Sequence, residues 1–321
     1  MTRLADSPSP ARRYLIGGTA FTARPLEPGL HVVATPIGNL RDITIRAIET
    51  MAAADVLACE DTRITRRLVD HFGMTVPLVP YHEHNAAEMR PKLLARLAAG
   101  QAVALCSDAG TPLVSDPGFK LVEAVRAADL PVVPVPGPSA VLAALVAAGL
   151  PTDAFFFDGF LPVKTVGRRG RAKDLAGVPG SLVFFETGPR LATSLADLLA
   201  ELGDRQAAVC RELTKAHEEV RRGPLSLLAA HYAASADPKG EIVLVIAPPG
   251  ETPPPAADDI DAMLRAALAT GSVKDAATAV AEATGLARRE LYQRALDLAK
   301  TGTGGEPPAA RDGEPAARTI P

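Results

Sequence analysis

The regular alternation of short apolar runs with helical patterns, from residue 30 onward, constrains the fold more than any other feature of the chain. Five runs of the first half read as strands, and they are almost wholly apolar, as strands buried on both faces of a sheet are. These runs are Leu30–Thr35, Asp55–Cys59, Val76–Pro80, Ala102–Cys106 and Pro131–Val135. Strand–helix alternation of this kind predicts a mostly parallel sheet that is covered by helices.

A second α/β pattern follows Leu150 and predicts a second, smaller sheet. Its strands are expected at Phe155–Phe160, Ser181–Glu186, Gln206–Arg211 and Glu241–Ala247. The predicted fold is therefore α/β, with subdomains at residues 29–150 and 151–248, a Pro-rich linker at 249–257 and a helical appendage at 258–301. Residues 1–28 are rich in Pro, Ser, Arg and Ala, and residues 302–321 are rich in Gly, Pro, Ala and charged residues. We expect both segments to be disordered tails.

Several classes of protein are disfavoured by composition. Apolar runs end well before the roughly 18 residues that a membrane span needs, and no signal-peptide pattern is present, so we expect a cytoplasmic protein. The cysteines Cys59, Cys106 and Cys210 each end an apolar run, and their odd number and spacing predict reduced core thiols. The net charge of −3 means that binding to RNA would need local basic patches.

Loops dense in small and polar residues follow all five predicted strands of the first half. They lie at Thr35–Leu40, Glu60–Arg63, Tyr81–Asn85, Ser107–Gly118 and Pro136–Ala140. Because the carboxyl ends of parallel strands meet at one edge of a sheet, these loops predict a ligand site there. None of them carries the glycine fingerprint of a dinucleotide site or of a P-loop, which argues against both. His82 and His84 lack a third ligand motif, so no metal site is predicted.

Four segments resemble, in order and spacing, the motifs of the tetrapyrrole methylase superfamily. They are TPIGNLRDI at Thr35–Ile43, EDTR at Glu60–Arg63, SDAGTPLVSDPG at Ser107–Gly118 and VPGPSA at Val135–Ala140. Within the superfamily they look most like the branch that methylates 16S ribosomal RNA. The resemblance implies two α/β subdomains with S-adenosylmethionine in the cleft between them, a homodimer, and methyl transfer to a cytidine ribose 2′-hydroxyl of the small ribosomal subunit.

The resemblance also assigns cofactor contacts, motif by motif. In the first subdomain they are Pro36, Ser107, Asp108, Ala109, Gly110, Ser139 and Ala140. In the second subdomain they are Phe185, Leu213, Gly240 and Glu241. One departure is plain: Pro189 stands where related sequences often carry a histidine, so that histidine cannot be an indispensable base.

The chemistry of methyl transfer narrows the catalytic candidates only in part. The enzyme must align the nucleophile with the methyl group and exclude water. A ribose hydroxyl reacts faster when a general base accepts its proton or when hydrogen-bond donors stabilise its developing charge. The residues expected to act are Glu60, Asp61, Arg63 and Glu186, with His82, Glu83 and Glu212 as further candidates for the base. Helix capping is the alternative role for Asp61, and a turn-stabilising role is the alternative for Asp108.

A basic stretch at Val163–Lys173 contains no acidic residue. Its cations are Lys164, Arg168, Arg169, Arg171 and Lys173. With two glycines in the same stretch, we predict a mobile loop that clamps RNA phosphates, and a solvated linker is the alternative. Arg63, Arg66 and Arg67 share one helix face and would extend the basic track. The rival functions are methylation of a tetrapyrrole and non-catalytic RNA binding in ribosome assembly.

Overall fold

The computed structural model of the chain describes residues 12–115, 118–250 and 257–302. The chain divides into two compact units, Met1–Gly250 and Glu251–Pro321. Most of the predicted linker and the carboxyl-terminal tail beyond residue 302 lie outside the described residues, as do residues 1–11.

A β-hairpin stands where the sequence predicted a disordered tail, so that prediction is wrong for residues 13–22. Its strands are β1 (Arg13–Ile16) and β2 (Thr19–Thr22). The two glycines between them have positive φ angles of 56° and 83°, as a tight hairpin turn requires. Tertiary contacts hold the hairpin, because Tyr14 is buried in the core and the backbone N–H of Leu15 donates to Phe72 O at 2.7 Å.

The first sheet is wholly parallel, which confirms the predicted architecture. Its strands are β3 (Gly29–Val33), β4 (Val56–Cys59), β5 (Leu78–Pro80), β6 (Ala102–Cys106) and β7 (Val132–Val135), in the spatial order β5-β4-β6-β3-β7. The helices around it are α1 (Ile45–Ala53), α2 (Thr62–His71), α3 (Ala86–Ala98), α4 (Phe119–Ala127) and α5 (Ala140–Ala148). Apolar clusters cover both faces of this sheet, which explains why its strands carry so few polar residues.

The second sheet has the order β11-β10-β12-β9-β8 and is antiparallel except for the β8–β9 pair. Its strands are β8 (Phe155–Phe160), β9 (Ser181–Thr187), β10 (Gln206–Arg211), β11 (Glu219–Pro224) and β12 (Glu241–Ile246). The helices α6 (Thr165–Leu175), α7 (Gly188–Leu202) and α8 (Leu225–Ala233) pack on one of its faces. Strand β11 and helix α6 are absent from the predicted elements.

Helix α5 joins the two sheets. Ser139 caps its start, and Gly149 ends it with φ +58° in the left-handed region. The helix is apolar nearly all round, so it buries one side against strands β10 and β12 of the second sheet. The carboxyl edge of the first sheet is thereby held next to the second sheet.

The second unit is a three-helix cluster. Its helices are α9 (Ala257–Leu268), α10 (Val273–Thr284) and α11 (Arg288–Gly302), in line with the predicted appendage. Ile260, Leu264, Val280 and Leu291 form most of its small core. Across the described ranges, no helix is long and apolar enough to cross a membrane.

Candidate active site

Loops at the carboxyl edge of the first sheet are tied to each other by hydrogen bonds. Thr35 and Gly110 form an isolated antiparallel bridge, with N···O distances of 2.9 and 3.0 Å. The Thr35 hydroxyl donates to Ser107 O at 3.2 Å, and the Thr111 hydroxyl donates to Pro138 O at 3.0 Å. The loops after β3, β6 and β7 therefore form one supported wall, as a preorganised binding site requires.

This wall and the second sheet enclose a cavity of about 320 Å³. Eight of the eleven residues predicted to contact the cofactor line it: Asp108, Ala109, Gly110, Ser139, Ala140, Phe185, Gly240 and Glu241. The lining is mostly apolar with a few polar groups, which is the usual composition of a site for a small molecule.

Three of the predicted contacts lie elsewhere. The Ser107 side chain is buried and donates to Ala109 O at 3.2 Å, so it shapes the loop rather than the cavity surface. Leu213 packs in the core between α5 and the second sheet and borders a separate shallow pocket. Pro36 is not in the lining, but its neighbour Ile37 is.

Aromatic residues of the second sheet form the opposite wall of the cavity. Phe185 meets Phe160 edge to face, with ring centroids 5.5 Å apart, and Phe160 is 54% exposed. An irregularity of β8 between Phe157 and Phe160 turns the strand here, where Gly159 has φ +66° and would place a Cβ 2.9 Å from Ser115 Oγ. Sequence analysis missed Phe160, although an aromatic residue beside a glycine at a strand end is a detectable signal.

A polar cleft of about 420 Å³ lies beside the cavity. Its walls are Glu60, Asp61, Thr62, Arg63, Pro80, His82, His84 and Asp108. The cleft thus holds Glu60, Asp61 and Arg63, which the sequence predicted to act, together with His82, a further candidate for the base, and His84. His82 presents a buried ring nitrogen, Nδ1, that has no hydrogen-bond partner within the described residues.

Asp61 is the cap of helix α2, which is the alternative that the sequence left open. Its Oδ1 accepts from the backbone N–H of Arg63 at 2.8 Å, and the Arg63 guanidinium holds both carboxylate oxygens at 2.6 to 3.1 Å. The hydrogen bonds from Arg63 lower the pKa of Asp61 to about 2. A carboxylate this weakly basic is poorly suited to take a proton near neutral pH.

Glu186 is among the predicted catalytic residues, but its carboxylate is buried and both of its oxygens have hydrogen-bond or ion-pair partners. Its Oε1 accepts from the backbone N–H of Thr187 at 2.8 Å, and its Oε2 accepts from the Ser194 hydroxyl at 2.6 Å. The Arg190 guanidinium lies 3.3 Å from Oε1. These contacts make Glu186 an anchor between β9 and α7 at the cavity wall.

Pro189, which stands where related sequences often carry a histidine, and its neighbour Gly188 both suit their positions at the start of helix α7. Pro189 lies in the first turn of α7, where a missing backbone N–H costs nothing. Gly188 before it is in such close contact with Pro238 that a Cβ would come within 1.7 Å of the Pro238 carbonyl oxygen.

The predicted RNA clamp at residues 163–173 is wrong as a mobile loop, because most of the segment is helix α6. Arg168 is only 3% exposed and donates from Nε to Asp197 at 2.7 Å. Arg169 pairs with Glu201 at 2.6 Å, and Arg171 bonds Asp158 at 2.9 Å. The acidic partners come from other elements, which the local sequence could not reveal.

Exposed cations remain at both ends of α6 and on helix α2. Lys164 and Lys173 are exposed at the start and near the end of α6. Arg63 lines the polar cleft, and Arg66 and Arg67 are exposed on the same helix. Helix α2, which the sequence named as an extension of the basic track, therefore carries exposed cations and reaches the polar cleft through Arg63.

Comparison with known proteins agrees with the motifs. A family model described as Tetrapyrrole (Corrin/Porphyrin) Methylases matches residues 29–229, and one described as RsmI C-terminal HTH domain matches residues 254–299. A relative from Mesorhizobium japonicum, named Ribosomal RNA small subunit methyltransferase I, is 53% identical over 91% of this chain and 99% of its own length. The relative of that name from Escherichia coli O157:H7 is 44% identical over 84% of this chain and 94% of its own.

Solved structures with the same fold are more distant in sequence. A diphthine synthase superposes with a TM-score of 0.53 at 17% identity, over 68% of this chain and 89% of its own. Cobalt precorrin-4 methyltransferase superposes with a TM-score of 0.51 at 18% identity, over 67% of this chain and 93% of its own. These likenesses show the fold.

Proposed function

The chain belongs to the tetrapyrrole (corrin/porphyrin) methylase family, as its motifs indicated, and from this premise we propose that it methylates ribosomal RNA of the small subunit. The acceptor is a cytidine ribose 2′-hydroxyl, and S-adenosylmethionine is the methyl donor. One observation carries the proposal: Asp108 alone, among the described residues, lines both the cavity and the polar cleft. A donor in the cavity and an acceptor in the cleft would meet at this residue.

The cavity fits S-adenosylmethionine in its size and in its lining. Phe160 and Phe185 present aromatic surface for a purine, and Asp108 and Glu241 present carboxylates for the cationic groups of the cofactor. The backbone of Ala109 and Gly110 borders the space between them. The cofactor supplies an activated methyl group on a positively charged sulfur, and the protein's task is to position and enclose it.

The polar cleft fits a nucleoside that is turned out of its helix. Enzymes that act on a nucleotide inside folded RNA extrude it into a pocket, where polar groups read the base and ribose. Arg63, His82 and His84 line this cleft with side chains that can form hydrogen bonds. Relatives that are 46 to 54% identical to this chain are named ribosomal RNA small subunit methyltransferase I, which supports ribosomal RNA as the substrate class.

The surface around the cleft offers cations for the phosphate backbone. Arg66 and Arg67 are exposed on α2 beside the cleft, and Lys164 and Lys173 are exposed on α6. Charges of this kind give affinity that does not depend on sequence and falls as salt is raised. A ribosomal substrate also favours a cytoplasmic location for the protein.

A homodimer is the second part of the proposal. Helix α5 buries one side against the second sheet and leaves Leu142 55% and Val146 84% exposed on the other. Exposed aliphatic side chains on an otherwise apolar helix are typical of a protein–protein interface. Replacing both residues with Glu should reduce the mass by half in light scattering, and an unchanged mass would refute this interface.

The test of the activity is transfer of labelled methyl groups from S-adenosylmethionine to small ribosomal subunits that lack the modification. Digestion of the RNA to nucleosides identifies the product, and we expect 2′-O-methylcytidine. Uroporphyrinogen III serves as the competing acceptor, since the family also contains tetrapyrrole methylases. Transfer to the tetrapyrrole and not to the RNA would refute the proposal.

A further inference from the structure

Most carboxylates around the two cavities are already held by strong partners. The Arg63 guanidinium occupies both oxygens of Asp61, and three groups occupy those of Glu186. Lys215 bonds Glu241 at 2.8 Å. Each of these groups would have to break an ion pair or a buried hydrogen bond before it could accept a proton.

Asp108 differs from them. Its Oδ1 accepts one hydrogen bond, from the backbone N–H of Asp61 at 3.0 Å. Across residues 12–115, 118–250 and 257–302, no other hydrogen bond and no ion pair to its carboxylate is present, so Oδ2 keeps its capacity to accept. Burial raises the pKa of Asp108 above its ordinary value, and the neighbouring charge of Asp61 acts in the same direction. A carboxylate with a raised pKa is a stronger base at the pH of the cell.

We propose that Asp108 is the general base of the methyl transfer, placed where the donor cavity meets the acceptor cleft. This inference rests on the proposed function. The Asp108 carboxylate accepts the proton of the ribose 2′-hydroxyl as its oxygen attacks the methyl carbon. The new O–CH₃ bond forms while the S–CH₃ bond breaks, and the electron pair of that bond stays on sulfur. The carboxylate and the sulfonium are both neutral afterwards, so charge balances.

The surroundings of Asp108 are consistent with this role. The groups that face it from the packed elements are Asp61, Arg63, Glu60, His82 and His84 in the cleft, Glu186 and Glu241 across the cavity, and the thiols of Cys59 and Cys106 beneath the loop. Two groups oppose the rise in the pKa of Asp108: the hydrogen bond from the backbone N–H of Asp61, which has the larger effect, and the positive charge of Arg63. The backbone bond from Asp61 fixes the orientation of the Asp108 carboxylate.

The test compares Asp108→Asn with Glu60→Gln, since Glu60 lines the cleft but not the cavity. Transfer by the wild-type protein to unmodified small subunits is measured first, and its absence would overturn the proposed function and this inference together. With transfer established, kcat of Asp108→Asn at saturating cofactor should fall about 10²- to 10⁴-fold, the usual contribution of a general base. Because the Asp108 carboxylate also borders the cofactor cavity, the Kd for S-adenosylhomocysteine is measured by calorimetry for each variant, and the cofactor is kept saturating so that weaker binding does not lower kcat.

The pH profile separates the base from a purely structural residue. In the wild-type protein kcat should rise with pH through the raised pKa of Asp108 and then level off, because only the ionised carboxylate accepts a proton. Asp61, with a pKa of about 2, would give no such rise above pH 4. Asp108→Asn should abolish the acidic limb and Asp108→Glu should retain it. An unchanged limb in Asp108→Asn, or a larger loss of kcat in Glu60→Gln, would overturn the inference.

Discussion

The buried arginine of helix α6 gives the sharpest contrast between what the sequence predicts and what the structure requires. Read as sequence, Arg168 belongs to a basic clamp for RNA. In the structure it lies beneath the surface, where its guanidinium donates to Asp197, to the carbonyl oxygen of Val163 at 3.0 Å and to the Thr165 hydroxyl at 3.3 Å. We therefore expect Arg168→Met to cost stability and to leave the RNA-facing surface intact.

The magnitude follows from the carboxylate that is left behind. Removing one partner of a buried ion pair costs about 3 to 5 kcal/mol, because the other charge remains buried without compensation. Asp197 keeps 14% of its side chain exposed, which places the expected loss near the lower end, about 3 kcal/mol. For a unit of this size that is a fall of about 6 to 12 °C in Tm. The double variant Arg168→Met with Asp197→Leu should recover most of it.

The assay is thermal unfolding followed by circular dichroism, paired with RNA binding at several salt concentrations. Lys164→Gln with Lys173→Gln is the matched change on the same helix. It should leave Tm within about 1 °C, since exposed charges contribute little, and should weaken binding and flatten its salt dependence. The reasoning would be refuted if Arg168→Met melted like the wild type and weakened RNA binding as much as the lysine pair.

Two further predictions concern packing. Gly188→Ala should lower stability by about 3 kcal/mol or more, because its Cβ would overlap the Pro238 carbonyl oxygen. Gly170→Ala in α6 is the matched change, and it should raise stability by about 0.5–1 kcal/mol because open space surrounds this glycine. Equal Tm values for the two variants would contradict this reasoning. The second concerns the cysteines Cys59, Cys106 and Cys210. Burial raises the pKa of all three thiols, that of Cys210 to about 12, so a thiol reagent should label them only after unfolding; rapid labelling of the folded protein would show that the core is open.

The first sheet could be predicted from sequence because each of its strands can be recognised from neighbouring residues in the chain. Strands buried on both faces must be apolar, and their ends must carry the polar loops, so the position of Asp108 followed from the run before it. Ser139 and Gly149, as cap and stop, set the limits of α5 in the same way. The motifs then indicated the family, and the family indicated the cavity.

What the sequence could not show depends on contacts between distant residues. Strand β11 reads EVRRGP and shows no apolar run, yet it pairs along its length with β10 at the sheet edge. The basic segment was misread because Asp158, Asp197 and Glu201, which neutralise its arginines, come from other elements. The hairpin at the start of the chain is likewise held by distant partners, such as Asp55, which pairs with Arg12.

The most direct test of the account is a crystal structure with S-adenosylhomocysteine and a short RNA that carries the acceptor cytidine. We predict the cofactor sulfur in the cavity between the two sheets and the cytidine ribose in the polar cleft. The 2′-oxygen should lie within hydrogen-bond distance of the Asp108 carboxylate, about 2.6 to 3.2 Å. A cofactor in the cavity with the ribose bound away from Asp108 would contradict the central claim that donor and acceptor meet at this residue.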